Sequence, residues 1–413
     1  MSRVLLAALL LAGTPAATPP KPVPDARAVH EAAIVIDGHM DTPQRFLDEG
    51  FDFGSNTPLT EGHVDLGKAR AGNLGAVFFS IWVDPREHTG RYAHRTLALI
   101  DSVYRQVERH PDQMVLALSA QDIVNARSGP QKKLATLMGL EGGHAIEDDL
   151  GLLRAYYRLG VRYMTLTWSN SHGWADASGD IDNPKVKHHG GLTPFGKEVV
   201  REMNRLGMLV DISHVSDATF FDAVKVSRAP VIASHSSARA LTQSPRNMTD
   251  EMLRAVGANG GVVMVNFFSA FIDEEFRKST SAQGSARDAA IAAAVAKVRK
   301  AGPGAQLRAA TAVEREWSAR LKRPPLKVLI DHIDHVAKVA GVEHVGLGSD
   351  FDGISSTPEG IDSAADLPRI TEALLARGYS SEQVHLILGG NLLRAFREAE
   401  RVSQQLRAEQ EPR

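Results

Sequence analysis

Eight short apolar runs punctuate the chain: AAIVID (32–37), GAVFFSIWV (75–83), LATLMGLE (134–141), VRYMTLTW (161–168), MLVDISH (208–214), APVIASH (229–235), GGVVMVNFF (260–268) and HVGLGSDF (344–351). Most are bounded by Gly, Pro or polar residues, and they are nearly continuous rather than alternating. That is the pattern of strands covered on both faces, as in a parallel sheet. Between them lie segments with helical periodicity, such as RTLALIDSVYRQVERH, TPFGKEVVREMNRLG and TDEMLRAVGAN, the last opened by a Thr N-cap with Glu251 in its first turn. Strand–helix alternation with eight strands predicts an α/β fold, a (β/α)8 TIM barrel, with an open doubly wound sheet as the alternative. Residues 270–327 break the repeat. They are rich in Ala, Arg and Glu, with Gly and Pro at 302–304, and read as helices inserted before the last strand. There is no internal repeat and no sign of a second domain, so a single barrel domain is expected over 28–400.

In such a barrel the chemistry sits at the C-terminal ends of the strands. Polar residues stand at those ends here. His39 and Asp41 close the first run, Glu141 the third, His214 the fifth and His235 the sixth; Asp350 closes the last, with Asp352 just beyond. On a strand, His39 and Asp41, two apart, face the same side. Three imidazoles and several carboxylates converging on one barrel mouth suit one or two divalent metals, zinc foremost, with manganese or iron as alternatives. Singly each signal is weak, because a His at a strand end is commonly hydrogen-bonded structure and an Asp before a loop is commonly a helix cap. Their common register across five strands is what carries the reading. Ser neighbours His235 in ASHSS, but neighbours on a strand point to opposite faces, so no Ser–His dyad is expected.

Composition narrows the partners. The 413-residue chain is 43% hydrophobic and has 47 basic against 49 acidic side chains, so no charge excess marks a nucleic-acid or anionic-membrane partner. The expected ligand is small. The chain has no Cys, which excludes disulfides, a thiol nucleophile and a lipid-bearing Cys. MSRVLLAALLLAGTPAATPPKPVP has a short basic start, an apolar stretch and small residues before a Pro-rich spacer. Residues 1–20 therefore read as a signal peptide and the start of that spacer, too short to span a membrane. With a polar C-terminus, the expectation is an exported protein, periplasmic or secreted, without a membrane anchor; a homodimer is compatible with the sequence.

At these residues the chain closely resembles the membrane (renal) dipeptidase family of metallo-dependent hydrolases. The matching stretches are IDGHMDTP, GLEGGHAIEDDLGLLRAYYRLGVRYMTLTW, LVDISHVSDATFFDAVKVSRAPVIASHSSARAL, PRNMTDEML and HVGLGSDFDG, which cover most of residues 30–395, with His214 and His235 standing 21 positions apart. The resemblance implies two zinc ions bridged by Glu141, one completed by His39 and Asp41 and the other by His214 and His235. It implies hydrolysis of dipeptides to free amino acids by a hydroxide bridging the metals. Asp350 is then the proton shuttle, and Arg246 in SPRNM holds the substrate's terminal carboxylate through its guanidinium fork. One position departs from the pattern. Renal-type members carry His after TLT, where this chain has Trp168, which cannot accept a hydrogen bond or ligate. Two expectations follow: His172, four residues on, replaces the lost donor, or the Trp168 indole forms an apolar wall that selects a bulky side chain. Two other functions stay open, namely hydrolysis of N-acyl amino acids, lactams or lactones on the same centre, and an exported metal-binding protein without turnover.

Overall fold

The computed structural model describes residues 25–58 and 62–410, so the signal-peptide reading lies outside the described residues. Nine strands form one parallel sheet: β1 (Val35–Met40), β2 (Leu74–Trp82), β3 (Met114–Leu116), β4 (Leu134–Glu141), β5 (Val161–Thr165), β6 (Leu209–Asp211), β7 (Val231–Ala233), β8 (Val262–Val265) and β9 (Val345–Leu347). β2 pairs with both β1 and β4, and β1 pairs with β9, so eight strands close a ring and the (β/α)8 barrel stands. The extra strand, β3, hydrogen-bonds to the first half of β4 (Met114↔Leu134), while β5 takes the second half (Met138↔Val161). At three residues it is too short to stand out as an apolar run.

The strands have nearly continuous apolar faces because both sides are covered. Ile36, Phe78, Leu137, Tyr163, Leu209, Ile232 and Met264 form one buried cluster, joined by Leu392 and Phe396 from the C-terminal helix Asn391–Gln410. Val35, Val77, Phe79 and Val263 belong to the other, with the outer helices. Those helices start where their caps dictate. Thr193 and Thr249 accept hydrogen bonds from the N–H groups of Gly196 and Met252, opening Pro194–Leu206 and Asp250–Asn259. The expected insertion is also present, with helices Glu274–Ala282, Gly284–Val298 and Pro303–Ala319 ahead of the barrel helix Leu326–Ala340.

Five strands, β5 to β9, are shorter than their apolar runs. β6, β7 and β9 stop at Asp211, Ala233 and Leu347, several residues before His214, His235 and Asp350. His214 (φ 67°) and Asp350 (φ 63°) have left-handed backbone that no strand can contain. The chain turns inward over the barrel mouth at these points. His214, His235 and Asp350 therefore belong to turns seated on strand ends, whereas His39 and Glu141 lie within β1 and β4.

Candidate metal centre

The first candidate ligand pair is aimed by a bulge. Asp37 pairs with Val77 and Met40 with Phe79, so β1 carries one residue more than β2 over this interval. A bulge of this kind re-aims side chains. Met40 packs in the outer cluster with Val35, while the His39 ring turns inward and its Nδ1 lies 2.7 Å from the Tyr163 hydroxyl. The simple two-residue alternation expected for His39 and Asp41 is thus replaced by a bulge and a strand end, with the same outcome: Asp41 Oδ2 is 3.3 Å from His39 Nε2.

Glu141 is the hub. It ends β4, level with Trp82 on β2 and Thr165 on β5. Its Oε2 accepts from Ser80 Oγ at 2.8 Å and lies 3.3 Å from His39 Nε2. Its Oε1 lies 2.9 Å from His214 Nε2 and 3.7 Å from His235 Nε2, and these two nitrogens face each other at 2.9 Å. Ligand atoms of His39, Glu141 and His235 lie within 4.8 Å of one another, as do those of His39, Asp41 and Asp350. The six expected metal and shuttle residues, drawn from positions 39 to 350, meet at one point.

The donor set fits divalent cations. Each imidazole has its Nδ1 beside a hydroxyl: Tyr163 Oη for His39, Ser169 Oγ at 3.3 Å for His214, and Ser234 Oγ at 2.7 Å for His235. Three Nε2 atoms are thereby directed at the carboxylates of Glu141 and Asp41, and His39 Nε2 is buried without a hydrogen-bond partner. The charges of the protein atoms pull against one another. Burial opposes ionisation of Glu141, but His39 and His214 outweigh it and hold its pKa well below the usual range. For His39 burial is outweighed by Tyr163, Glu141 and Asp41, and the pKa stands well above its ordinary value. Burial and Arg246 push His214 down to about 4, and burial and His39 push His235 well down. The unprotonated His214 and His235 nitrogens and the ionised Glu141 carboxylate facing inward are what a bound cation satisfies.

Asp350 stands beside the cluster, its Oδ2 accepting from Asn266 Nδ2 at 2.9 Å. Burial and the neighbouring Asp41 raise its pKa well above the ordinary value. Asp352 lies apart from the imidazoles. It accepts from the His63 N–H (2.7 Å) and Thr42 Oγ1 (2.9 Å), fastening a loop to the first strand's end. Arg246 is buried at the mouth, with Nη1 3.4 Å from Ser236 Oγ, Nη2 3.3 Å from the His235 carbonyl and its guanidinium over Phe271. Among the described residues no carboxylate lies within ion-pair distance of it.

Trp168 and His172 part company. The Trp168 indole is half-buried, 5.0 Å from the Trp82 ring and 6.3 Å from the His214 ring, and so walls the centre. His172 donates from Nε2 to the Leu166 carbonyl at 2.9 Å and packs against Trp174 and His144. Burial pushes it down to about 3. Its ring contacts include none of the metal-centre imidazoles.

One expectation is corrected. Ser234 and His235 do hydrogen-bond, because β7 has ended at Ala233 and strand alternation no longer applies. The bond uses Nδ1, the nitrogen turned away from the centre. The sequence reading also passed over Tyr163, Asp211, Ser80, Ser234 and Asn266. Asp211 left a signal, being a carboxylate inside an apolar run with no local partner.

Similarity to known proteins gives the family. The family model described as Membrane dipeptidase (Peptidase family M19) matches residues 23–410. Dipeptidase verJ of Clonostachys rogersoniana is 34% identical, with 90% of this chain and 86% of that protein covered. Dipeptidase 3 of Homo sapiens is 32% identical, covering 93% of this chain and 69% of its own length. The crystal structure of the probable dipeptidase PvdM from Pseudomonas aeruginosa superposes with a TM-score of 0.75 at 26% identity, covering 91% of this chain and 98% of that one. With its barrel closed, its imidazole–carboxylate cluster at the mouth and a family match across nearly its whole length, this chain belongs to the membrane dipeptidase family and is a dipeptidase-class enzyme.

Proposed function

We propose that the chain hydrolyses dipeptides to free amino acids with two divalent cations, zinc foremost, held by His39, Asp41, Glu141, His214 and His235. The observation that carries this reading is the convergence of three Nε2 atoms on Glu141 and Asp41. Bound zinc supplies a Lewis acid for the carbonyl and lowers the pKa of water toward neutrality. The chain's own residues do the rest. Arg246 takes the terminal carboxylate of a short peptide, which sets the length of substrate that fits. Asp350 accepts the proton of the attacking water and returns it to the departing amine, with Asn266 orienting its carboxylate. Trp168 and Trp82 form an apolar wall beside the scissile bond that favours a bulky side chain.

Among the described residues no helix is long and apolar enough to cross a membrane. Export under the signal at residues 1–20 is part of this proposal, and sequencing the mature N-terminus tests it.

Elemental analysis of purified protein is expected to find close to two zinc equivalents. Prolonged chelation abolishes dipeptide hydrolysis, and re-addition of zinc restores it, with manganese and iron as comparison arms. Glu141→Ala loses metal together with activity, because the bridge is gone. Active enzyme without a transition metal overturns the reading. A panel with N-acyl amino acids, lactams and lactones, if cut faster than any dipeptide, moves the assignment to another amidohydrolase reaction.

A further inference from the structure

Behind His235 runs a chain of hydrogen bonds unlike those behind the other two imidazoles. Tyr163 and Ser169 each place a single hydroxyl beside His39 and His214. Ser234 connects His235 to a buried carboxylate. Its Oγ lies 2.7 Å from His235 Nδ1 and donates to Asp211 Oδ2 at 2.6 Å. Asp211 is the last residue of β6, paired with Thr165 on β5 and Ile232 on β7. All its acceptors are engaged: Oδ1 takes the N–H of Ser213 (3.0 Å) and of Ser234 (2.8 Å), and Oδ2 takes Thr165 Oγ1 (2.5 Å) as well as Ser234.

The direction of this chain follows from the chemistry of its members. A carboxylate only accepts, so the single hydroxyl hydrogen of Ser234 is committed to Asp211. Ser234 Oγ then has only lone pairs to offer His235, and Nδ1 must carry the proton. Nε2 is left as a bare lone pair facing Glu141. Outer partners of this kind orient a metal-binding imidazole, fix its tautomer and raise its basicity.

We propose that Asp211 and Ser234 are positioning residues for the metal centre, forming a one-way relay that locks His235 in its Nε2-ligating tautomer. The inference rests on the reading that His235 is a ligand. It assigns a role to two residues that touch neither substrate nor cation, and it makes the His214–His235 side of the centre depend on a carboxylate two steps away.

Asp211→Asn reverses the relay at nearly constant shape. The amide oxygen keeps the two backbone N–H groups, and the amide nitrogen, which only donates, replaces Oδ2. Ser234 then turns its hydrogen toward His235 Nδ1 at 2.7 Å, a far nearer acceptor than Ser213 Oγ at 3.4 Å, favouring the tautomer with Nε2 protonated. The test is a zinc titration of the chelated and reloaded protein against a chromophoric competitor, with the cobalt(II) absorption spectrum as a second readout. The parent is expected to take up two equivalents. Asp211→Asn should weaken one equivalent by about 10–100-fold, leave the other unchanged and alter half of the cobalt spectrum. Ser234→Ala, which removes the connecting hydroxyl, should weaken the same equivalent and serves if Asp211→Asn does not fold. Thr165→Val is the structural control, since it removes a hydrogen bond to the same Asp211 oxygen outside the relay; it should lower Tm and leave both affinities within about threefold. Unchanged zinc affinities and cobalt spectra in folded Asp211→Asn or Ser234→Ala overturn the relay while the two-metal reading stands. A parent protein that binds no zinc overturns both.

Discussion

The Arg246 guanidinium is a charge awaiting a partner. It is buried, it makes only two long hydrogen bonds, to Ser236 Oγ and the His235 carbonyl, and it rests over Phe271. Burial pushes its pKa down from 12.5 to about 10, with Asp350 and Glu141 offsetting part of the cost. That difference corresponds to about 3 kcal/mol of disfavoured charge. A substrate carboxylate docked on the fork would recover energy of this order, equivalent to about a hundredfold in kcat/KM. Replacing Arg246 by Met keeps the apolar contact with Phe271 and deletes the charge. The assay compares kcat/KM for an alanyl dipeptide and its C-terminal amide on both proteins. The parent should prefer the free acid by about a hundredfold, and Arg246→Met should lose that preference through a fall on the acid alone. Equal rates on acid and amide in the parent would refute the assignment. So would a variant in which both substrates fall together, since that signals damage to the centre.

Asp350→Asn should retain zinc and substrate binding and lose about 10²–10⁴-fold in kcat; its left-handed backbone suits Asn as well as Asp. Loss of zinc, with normal turnover once zinc is resupplied, would make Asp350 a ligand instead. Trp168→Ala should reorder a dipeptide library and spare the best small substrate, whereas replacing His172, held to the Leu166 carbonyl, by Ala should be mild on every substrate. A uniform steep loss in His172→Ala would show that His172 supplies the missing donor. Outside the cluster, His332 is buried neutral between the Ala238 N–H and the Ile272 carbonyl, and burial pushes it down to about 4. The unfolded chain binds that proton from about pH 6.5 downward, so its contribution is intact above pH 6.5 and falls by about 2 kcal/mol by pH 5. Guanidinium unfolding of parent and His332→Asn at pH 7 and pH 5 should show a flatter pH dependence in the variant, and parallel slopes would refute it.

The convergence of the cluster was legible because its members are polar residues closing apolar runs, a conflict with burial that only a bound group or partner resolves. His39, Asp41, Glu141, His214, His235 and Asp350 all carried that mark. The limits of the strands did not, since the left-handed turns at His214 and Asp350 arise where the chain folds over the mouth, and His and Asp, though enriched at positive φ, mostly adopt other backbone. The supporting layer was hidden for a different reason. Within VRYMTLTW and APVIASH, Tyr163 and Ser234 read as ordinary fillers of a strand, and their roles appear only when β5, β6 and β7 lie side by side. β3 escaped because three residues on the lower edge of β4 carry no periodicity to detect.

The seam between β1 and β9 gives the centre a part in folding. Their register contact is Asp37↔Leu347, extended by a bridge from Met40 to Phe351, and the Asp37 carboxylate accepts from Ser349, 312 residues away in the chain. Closing so long a loop is entropically costly, and contacts of this separation form late and slowly. His39 and Asp41 lie on one side of that seam and Asp350 on the other. The complete cluster therefore exists only in a chain whose first and last strands have already met. A cation held by His39 and Asp41 together with Glu141, His214 and His235 would tie the seam's first strand to β4 and to the turns after β6 and β7, stabilising the closed form by mass action, about 4 kcal/mol at a thousand times its Kd. Chelation would accordingly loosen the barrel at its seam first, and amide exchange in β1 and β9 would rise before that in β4 and β5.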